Sequence, residues 1–399
     1  KTLYKSCSPY TVTGNWWIKD GAIVTVEKGV TININDSKYI KVDGDLIIKP
    51  GATLNFAKGA YLEVNSGVLH AQGTVTDSIT FIGNTYTNYD GIIRTKNIDG
   101  QTSIIKYSLI KNISMALYNT EILNSRITSP NNDNVNISLR FHSKLKKSKI
   151  HDLRGITIQG TGEISFSELY NIGPPSFTSA ASIMILKDMS QPSGSAIIKN
   201  NIFSKTTSSN CNITRLMEIH DNSSINVNIE NNNINHENSV INSSGFVNTV
   251  GIKARSASDN ISIKNNIIGG FYTNLKIEGQ GNYPIKYNSF IGSMDIASGQ
   301  RNVVVEPNNG FYQDEVVIDM KENYWGNVDA ADINNSITDF EDDFELKGNV
   351  DFSNALSAPH IATPISSVKN LKVTRLASST DLTWDANVET DLAGYKVHY

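Results

Sequence analysis

Gly21-Ala-Ile-Val-Thr-Val-Glu-Lys-Gly29-Val-Thr-Ile32 and then Gly44-Asp-Leu-Ile-Ile-Lys-Pro-Gly51 set the pattern from which the fold is read. Gly21 to Gly44 and Gly44 to Gly67 span 23 residues, while Gly29 to Gly51 and Gly51 to Gly73 span 22. With Gly59 added, neighbouring glycines fall mostly seven or eight residues apart. Between them lie short alternating runs such as Ile23-Val-Thr-Val26 and Leu46-Ile-Ile48. Each unit is one strand and one turn, and three units make a coil of about 22 residues, the repeat of a parallel β-helix.

Further along, the order apolar, two variable residues, Ser or Asn, one variable residue, apolar recurs nine times. It begins at Ile105, Ile122, Leu145, Ile164, Ile198, Ile229, Ile263, Ile285 and Met320. Its polar members are Ser108, Ser125, Ser148, Ser167, Asn201, Asn232, Asn266, Asn288 and Asn323. Coils stack about 4.8 Å apart, so like residues should form ladders, apolar inside and Ser or Asn bonded along a corner. Longer intervals read as loops inserted between strands. Asn is abundant and often doubled, as at Asn200-Asn201 and Asn265-Asn266, which suits tight corners. No sustained 3.6-residue period is present, so very little helix is expected. The fold class is therefore all-β, with about a dozen three-strand coils in a rod roughly 60 Å long.

Composition narrows the function. The chain has 399 residues, 39% hydrophobic and 19% charged, with a net charge of −4 and both signs interspersed. That gives no electrostatic case for nucleic acid, and no run approaches the ~18 apolar residues of a membrane span. Two cysteines, Cys7 and Cys211, sit many coils apart and build no disulfide framework. A start at Lys1 with no apolar leader reads as a chain whose signal peptide is removed, or a trimmed one.

The run from Ile18 to Ile32 resembles the first coils of pectate-lyase-like right-handed parallel β-helix proteins. Glu322-Asn-Tyr-Trp-Gly326 resembles the closing motif of bacterial secreted β-helix repeat proteins, followed here by an acidic segment, Ile337-Thr-Asp-Phe-Glu-Asp-Asp343. The resemblance covers about 350 residues. It implies the right-handed architecture and an exported protein; its members include lyases, hydrolases, adhesins and phage tailspikes.

After Pro359 the texture changes. Val368 to Val373, Asp381 to Asp385 and Asp391 to Tyr399 resemble the first strands of a fibronectin type III domain, with Trp384 and Tyr395 at core aromatic positions. Such a sandwich needs ~100 residues, so this one is incomplete. The expected division is 1–15 lead-in or cap, 16–327 β-helix, 328–363 acidic closing segment and linker, and 364–399 partial fibronectin-like domain.

One strand per coil can be followed as Leu139-Arg-Phe141-His, Ile156-Thr-Ile158-Gln, Ile183-Met-Ile185-Leu, Met217-Glu-Ile219-His, Ile252-Lys-Ala254-Arg, Leu275-Lys-Ile277-Glu and Met294-Asp-Ile296-Ala. The first and third members should point inward and their alternates outward. The outward stripe then holds Glu218, His220, Lys253, Arg255 and Glu278 within one or two rungs, the candidates for catalysis. Arg140, His142 and Lys276 are candidates for ligand binding. In the resembled family the groove runs over such a face, where Arg or Lys would take a C5 proton from a uronate beside Glu and calcium. Alternating charges on adjacent rungs are also what a solvated sheet uses for register. No compact acidic trio with a neighbouring Arg is evident.

A structural ladder is therefore the first reading, a glycan groove the second and a catalytic site, of lyase or glycosidase type, the third. No cofactor is required. Asp339, Asp342 and Asp343 offer carboxylates to calcium but lack the glycine-punctuated spacing of a calcium loop, so an acidic linker is the simpler reading. Asn-x-Ser/Thr sequons at Asn112, Asn136, Asn212, Asn222 and Asn260 follow from composition. Trp16 and Trp17 are expected to cap the first coil. The functional expectation is a secreted or cell-surface protein, structural or adhesin-like. Its partners would be a polysaccharide or surface glycan, or other surface or secretion-system proteins. A polysaccharide lyase or glycosidase and a phage tailspike are the alternatives.

Overall fold

The computed structural model describes residues 1–83, 91–96, 101–130, 135–173, 181–187, 193–204, 215–220, 225–235, 249–255, 260–279, 284–291, 299–306, 316–343, 345–346, 348–366, 368, 371–376, 379–387, 389 and 392–395. Three parallel sheets wrap one core, each built from every third strand of the coil stack. Sheet A runs from Thr2–Leu3 to Ile285–Lys286 in 12 strands, and sheet B from Tyr10–Val12 to Ser289–Ile291 in 12. Sheet C has 13, from Trp16–Ile18 through Arg301–Val305 to Ile337–Thr338. This is a parallel β-helix. Strands Thr2–Leu3 and Tyr10–Val12 already pair with Ile23–Val26 and Thr31–Ile34, so coiling begins inside the stretch read as a lead-in.

Period-2 alternation explains the strands. Thr31–Ile34, Tyr39–Val42, Asp45–Ile48 and Thr53–Phe56 each alternate half-buried with buried residues. One apolar cluster extends from Leu3 to Val350, with Phe56, Phe81, Phe203 and Phe290 among its largest buried side chains. Glycines do two different jobs at the early corners. Gly29 and Gly51 adopt φ near +70°, which L side chains reach only with strain. Gly44 and Gly67 are needed for close approach, because a Cβ on Gly67 would lie 1.8 Å from the carbonyl oxygen of Gly44.

The corner between sheets A and B carries the nine-fold pattern. All nine leading apolar residues are fully buried, and the nine Ser or Asn side chains are at most 4% exposed. The main-chain N–H of each polar member donates to the side-chain oxygen of the next coil's member. This series runs unbroken from Ser108 through Ser125, Ser148, Ser167, Asn201, Asn232, Asn266 and Asn288 to Asn323, at 2.8–3.2 Å. The residue before each one is left-handed: Tyr107, Asn124, Lys147, Phe166, Asn200, Asn231, Asn265, Tyr287 and Glu322 have φ of 47–60°. The doubled asparagines now have a physical account. The first tolerates the left-handed turn, and the second joins the ladder.

The C-terminal end of the core is closed by Trp325, 4% exposed, stacked on Phe290 at 4.9 Å and edge-on to Phe352 at 6.3 Å. A short helix, Ala330–Asn335, caps it, with the Asp329 carboxylate accepting from the N–H groups of Ala331 and Asp332. The chain then reverses along the A–B corner. Leu356 donates through its N–H to the Asn323 carbonyl, His360 stacks on Tyr287 at 4.4 Å, and Thr363 donates to the Tyr287 carbonyl. Beyond this strap, Lys372–Arg375 and Thr380–Thr383 form an antiparallel hairpin, and Trp384 meets Tyr395 edge-on at 4.8 Å.

Candidate functional site

The outer face of sheet C holds the candidate residues. Register places Glu218 beside Lys253 and Lys253 beside Lys276, in a row that continues from Ser138, Thr157 and Met184. The expected stripe needs two corrections.

The first concerns register at its N-terminal end. Ile137 and Leu139, not Leu139 and Phe141, are the inward pair, facing Ile156 and Ile158. Phe141 and His142 lie past the strand in left-handed conformation, with Phe141 stacked on Tyr118 at 4.9 Å. His142 is therefore at a corner and away from the Glu218 group, while Arg140 remains on the face beside Gln159. The Arg140 guanidinium donates to the Tyr118 hydroxyl at 2.7 Å and to Ser138 Oγ at 3.2 Å.

The second concerns solvent. Glu218 is 1% exposed and Glu278 7%, so the two carboxylates expected to point outward are covered. Buried carboxylates need partners, and these have them. Glu218 pairs with Arg215, with Arg255 at 3.3 Å and with His220 at 3.6 Å. Glu278 pairs with Lys253 at 2.7 Å, Arg255 at 3.0 Å and Lys276 at 3.5 Å. Arg255 bridges the two carboxylates, and Lys276 also pairs with Glu306. Glu218 and Lys253 are register neighbours on adjacent rungs, and the Lys253 ammonium reaches Glu278. Burial lowers the His220 pKa from its ordinary value; Glu218 opposes that, while Arg255, Arg215 and Lys253 add to it. Asp295, at the end of the expected stripe, lies outside the described residues.

Four cations surround three carboxylates here, and both buried carboxylates are held by cations at contact distance. A general base in this arrangement would have to leave its partners before meeting a substrate proton. Arg215 was not singled out in the sequence, because it lies three residues before Glu218, off the alternating set. Only the fold shows it reaching the same carboxylate.

The acidic segment resolves into a turn. Asp339 is 5% exposed, and its two oxygens accept from the N–H groups of Glu341 and Val350. Its main-chain N–H donates to Asp342, and the Asp343 carboxylate accepts from the Glu345 N–H. Burial raises the Asp339 pKa, with Asp342 adding and the two N–H donors opposing. These carboxylates are used by backbone, and no group of three His, Cys, Asp or Glu suited to a metal comes together among the described residues.

Trp17 corrects another expectation. Trp16 packs partly on the core, but Trp17 is 54% exposed, its indole N–H donating to Asp43 at 2.6 Å with Lys41 4.7 Å from the ring centroid. Cys7 is a free, exposed thiol; Cys211 and the sequons at Asn212 and Asn222 lie outside the described residues. No helix among the described residues is long and apolar enough to cross a membrane. Comparison with protein-family models, with curated proteins and with solved structures gives no match.

Proposed function

We propose that this chain is a rigid, non-catalytic rod of an extracellular or cell-surface protein, adhesin-like, whose sheet C flank contacts glycans. The observation that carries this reading is the closed ionic network: Glu218 and Glu278 are buried and bonded to Arg215, Arg255, Lys253 and Lys276. Such a network fixes three neighbouring coils and leaves neither carboxylate available for acid–base chemistry. Glycan contact would fall on the neutral stretch of the same face, where Ser138, Thr157 and Gln159 offer hydroxyl and amide groups beside Arg140. The hairpin with its Trp384–Tyr395 contact suits the opening strands of a fibronectin type III-like module, a spacer used by exported proteins.

Glycan-array binding of the intact chain tests the reading. Retention of at least one glycan class without its turnover, weakened by Arg140→Ala, is expected. No retention of any glycan, or loss of the bound glycan through cleavage, would count against it.

A further inference from the structure

The strap does not lie flush on the rod. Between Ala362, Pro364 and Ile365 on one side and Asn200, Asn201, Ile202, Asn231 and Asn233 on the other is a cleft of about 330 Å³.

 The rod side of the strap cleft is polar and the strap side apolar. No charged side chain lines it.

Three of its asparagines have unused amides. Asn201 spends its side chain in the corner ladder, but the side chains of Asn200, Asn231 and Asn233 make no hydrogen bond among the described residues. Asn231 Oδ1 is buried without a partner, a state that costs about 1–3 kcal/mol and asks for a donor. Asn200 and Asn231 occupy equivalent left-handed turns on adjacent rungs. Opposite them, Ala362, Pro364 and Ile365 supply apolar surface, and Ile202 adds to it from the rod side.

We propose that this cleft binds a neutral sugar residue, its vicinal hydroxyls pairing with the amides of Asn200, Asn231 and Asn233 and its C–H face lying on the strap. The absence of charge from the lining selects against uronates and other anions, whose desolvation nothing here would offset. The site lies at the A–B corner and does not depend on glycan contact at sheet C.

Ligand-observed NMR and titration calorimetry on the intact chain test it, using methyl glucoside, methyl galactoside and methyl mannoside, with methyl glucuronide as the charged control. A dissociation constant of about 1 mM is expected for at least one neutral hexoside, at least tenfold weaker for the glucuronide. Asn231→Gly keeps the left-handed turn and removes the amide, and should weaken binding at least tenfold with thermal unfolding unchanged or higher. Ile365→Asp, which places a carboxylate on the strap without touching the ladder, should weaken it as well. Saturable binding that survives both substitutions, or no binding of any neutral hexoside at concentrations well above the expected constant, would overturn the proposal.

Discussion

The main-chain N–H of Ser167 donates to Oδ1 of Asn201 across 3.0 Å, and at that bond the corner ladder changes character. Below it, a serine such as Ser125 sends one ladder bond to the next coil, and its hydroxyl donates back to Leu123 of its own coil. Above it, Asn232 donates three bonds to neighbouring coils, two to Asn266 Oδ1 and one to the Ile198 carbonyl, and its Oδ1 accepts two from Asn201.

Asn232→Ala should therefore cost more than Ser125→Ala. Each net hydrogen bond is worth about 1 kcal/mol, and a buried group left unpaired costs about 1–3 kcal/mol. Losses of about 3 kcal/mol for Asn232→Ala and about 1–2 kcal/mol for Ser125→Ala are expected from denaturant unfolding. Equal losses would show that the ladder does not set coil stability.

Phe166 is the opposite case. It sits left-handed at φ 53° and is 55% exposed, so it has strain without much burial to offset it. Phe166→Asn should stabilise the chain by about 1 kcal/mol, since asparagine tolerates that backbone. A lower denaturation midpoint in the variant would contradict this.

The coils, the apolar rows and the Ser/Asn ladder were legible in the sequence, because alternation and like-on-like stacking leave a periodic trace at Ile105, Ser108 and Ile110 and in every later coil. The register of Leu139 was not. A shift of two residues keeps every side chain on its own face, so Leu139-Phe141 and Ile137-Leu139 satisfy the pattern equally. Nor was the closure of the charged stripe legible. Which cation meets Glu218 depends on how Arg215 turns back along its own strand and how Arg255 reaches over from the next coil, and the sequence carries no record of either. The strap was likewise hidden, since nothing in Leu356 to Ile365 announces that the chain doubles back.

His151 gives a pH prediction. Its imidazole is 5% exposed, stacked on Tyr170 at 4.5 Å, with Asp152 2.6 Å from Nδ1 and Arg126 Nε donating to Nε2 at 3.0 Å. Burial lowers its pKa, Asp152 opposes that, and Arg126 and Lys149 add to it. The unfolded chain then binds the proton more readily than the folded one. Stability from this group is full above about pH 6.5, the unfolded value, and is lost as pH falls towards the folded value. His151→Gln should flatten the stability profile across that acid limb in urea titrations. An unchanged slope would remove His151 as its source.

Glu218→Gln tests the buried network from the stability side. It leaves Arg215 and Arg255 without a full counter-charge, and breaking a buried pair costs about 3–5 kcal/mol, less here because Arg255 is partly exposed and keeps Glu278. A loss of about 2 kcal/mol is expected, and Glu218→Gln combined with Arg255→Gln should lose less than the sum of the two single changes. Strict additivity would mean that the two side chains do not act together.

The most direct test of a closed, non-catalytic flank is the ultraviolet absorbance of unsaturated uronate products when the intact chain is incubated with polygalacturonate and alginate, with calcium present. The closed network predicts no rise above the protein-free control. A rise that disappears in Arg255→Ala would contradict it, and would make the pairs around Glu218 and Glu278 part of a working active site.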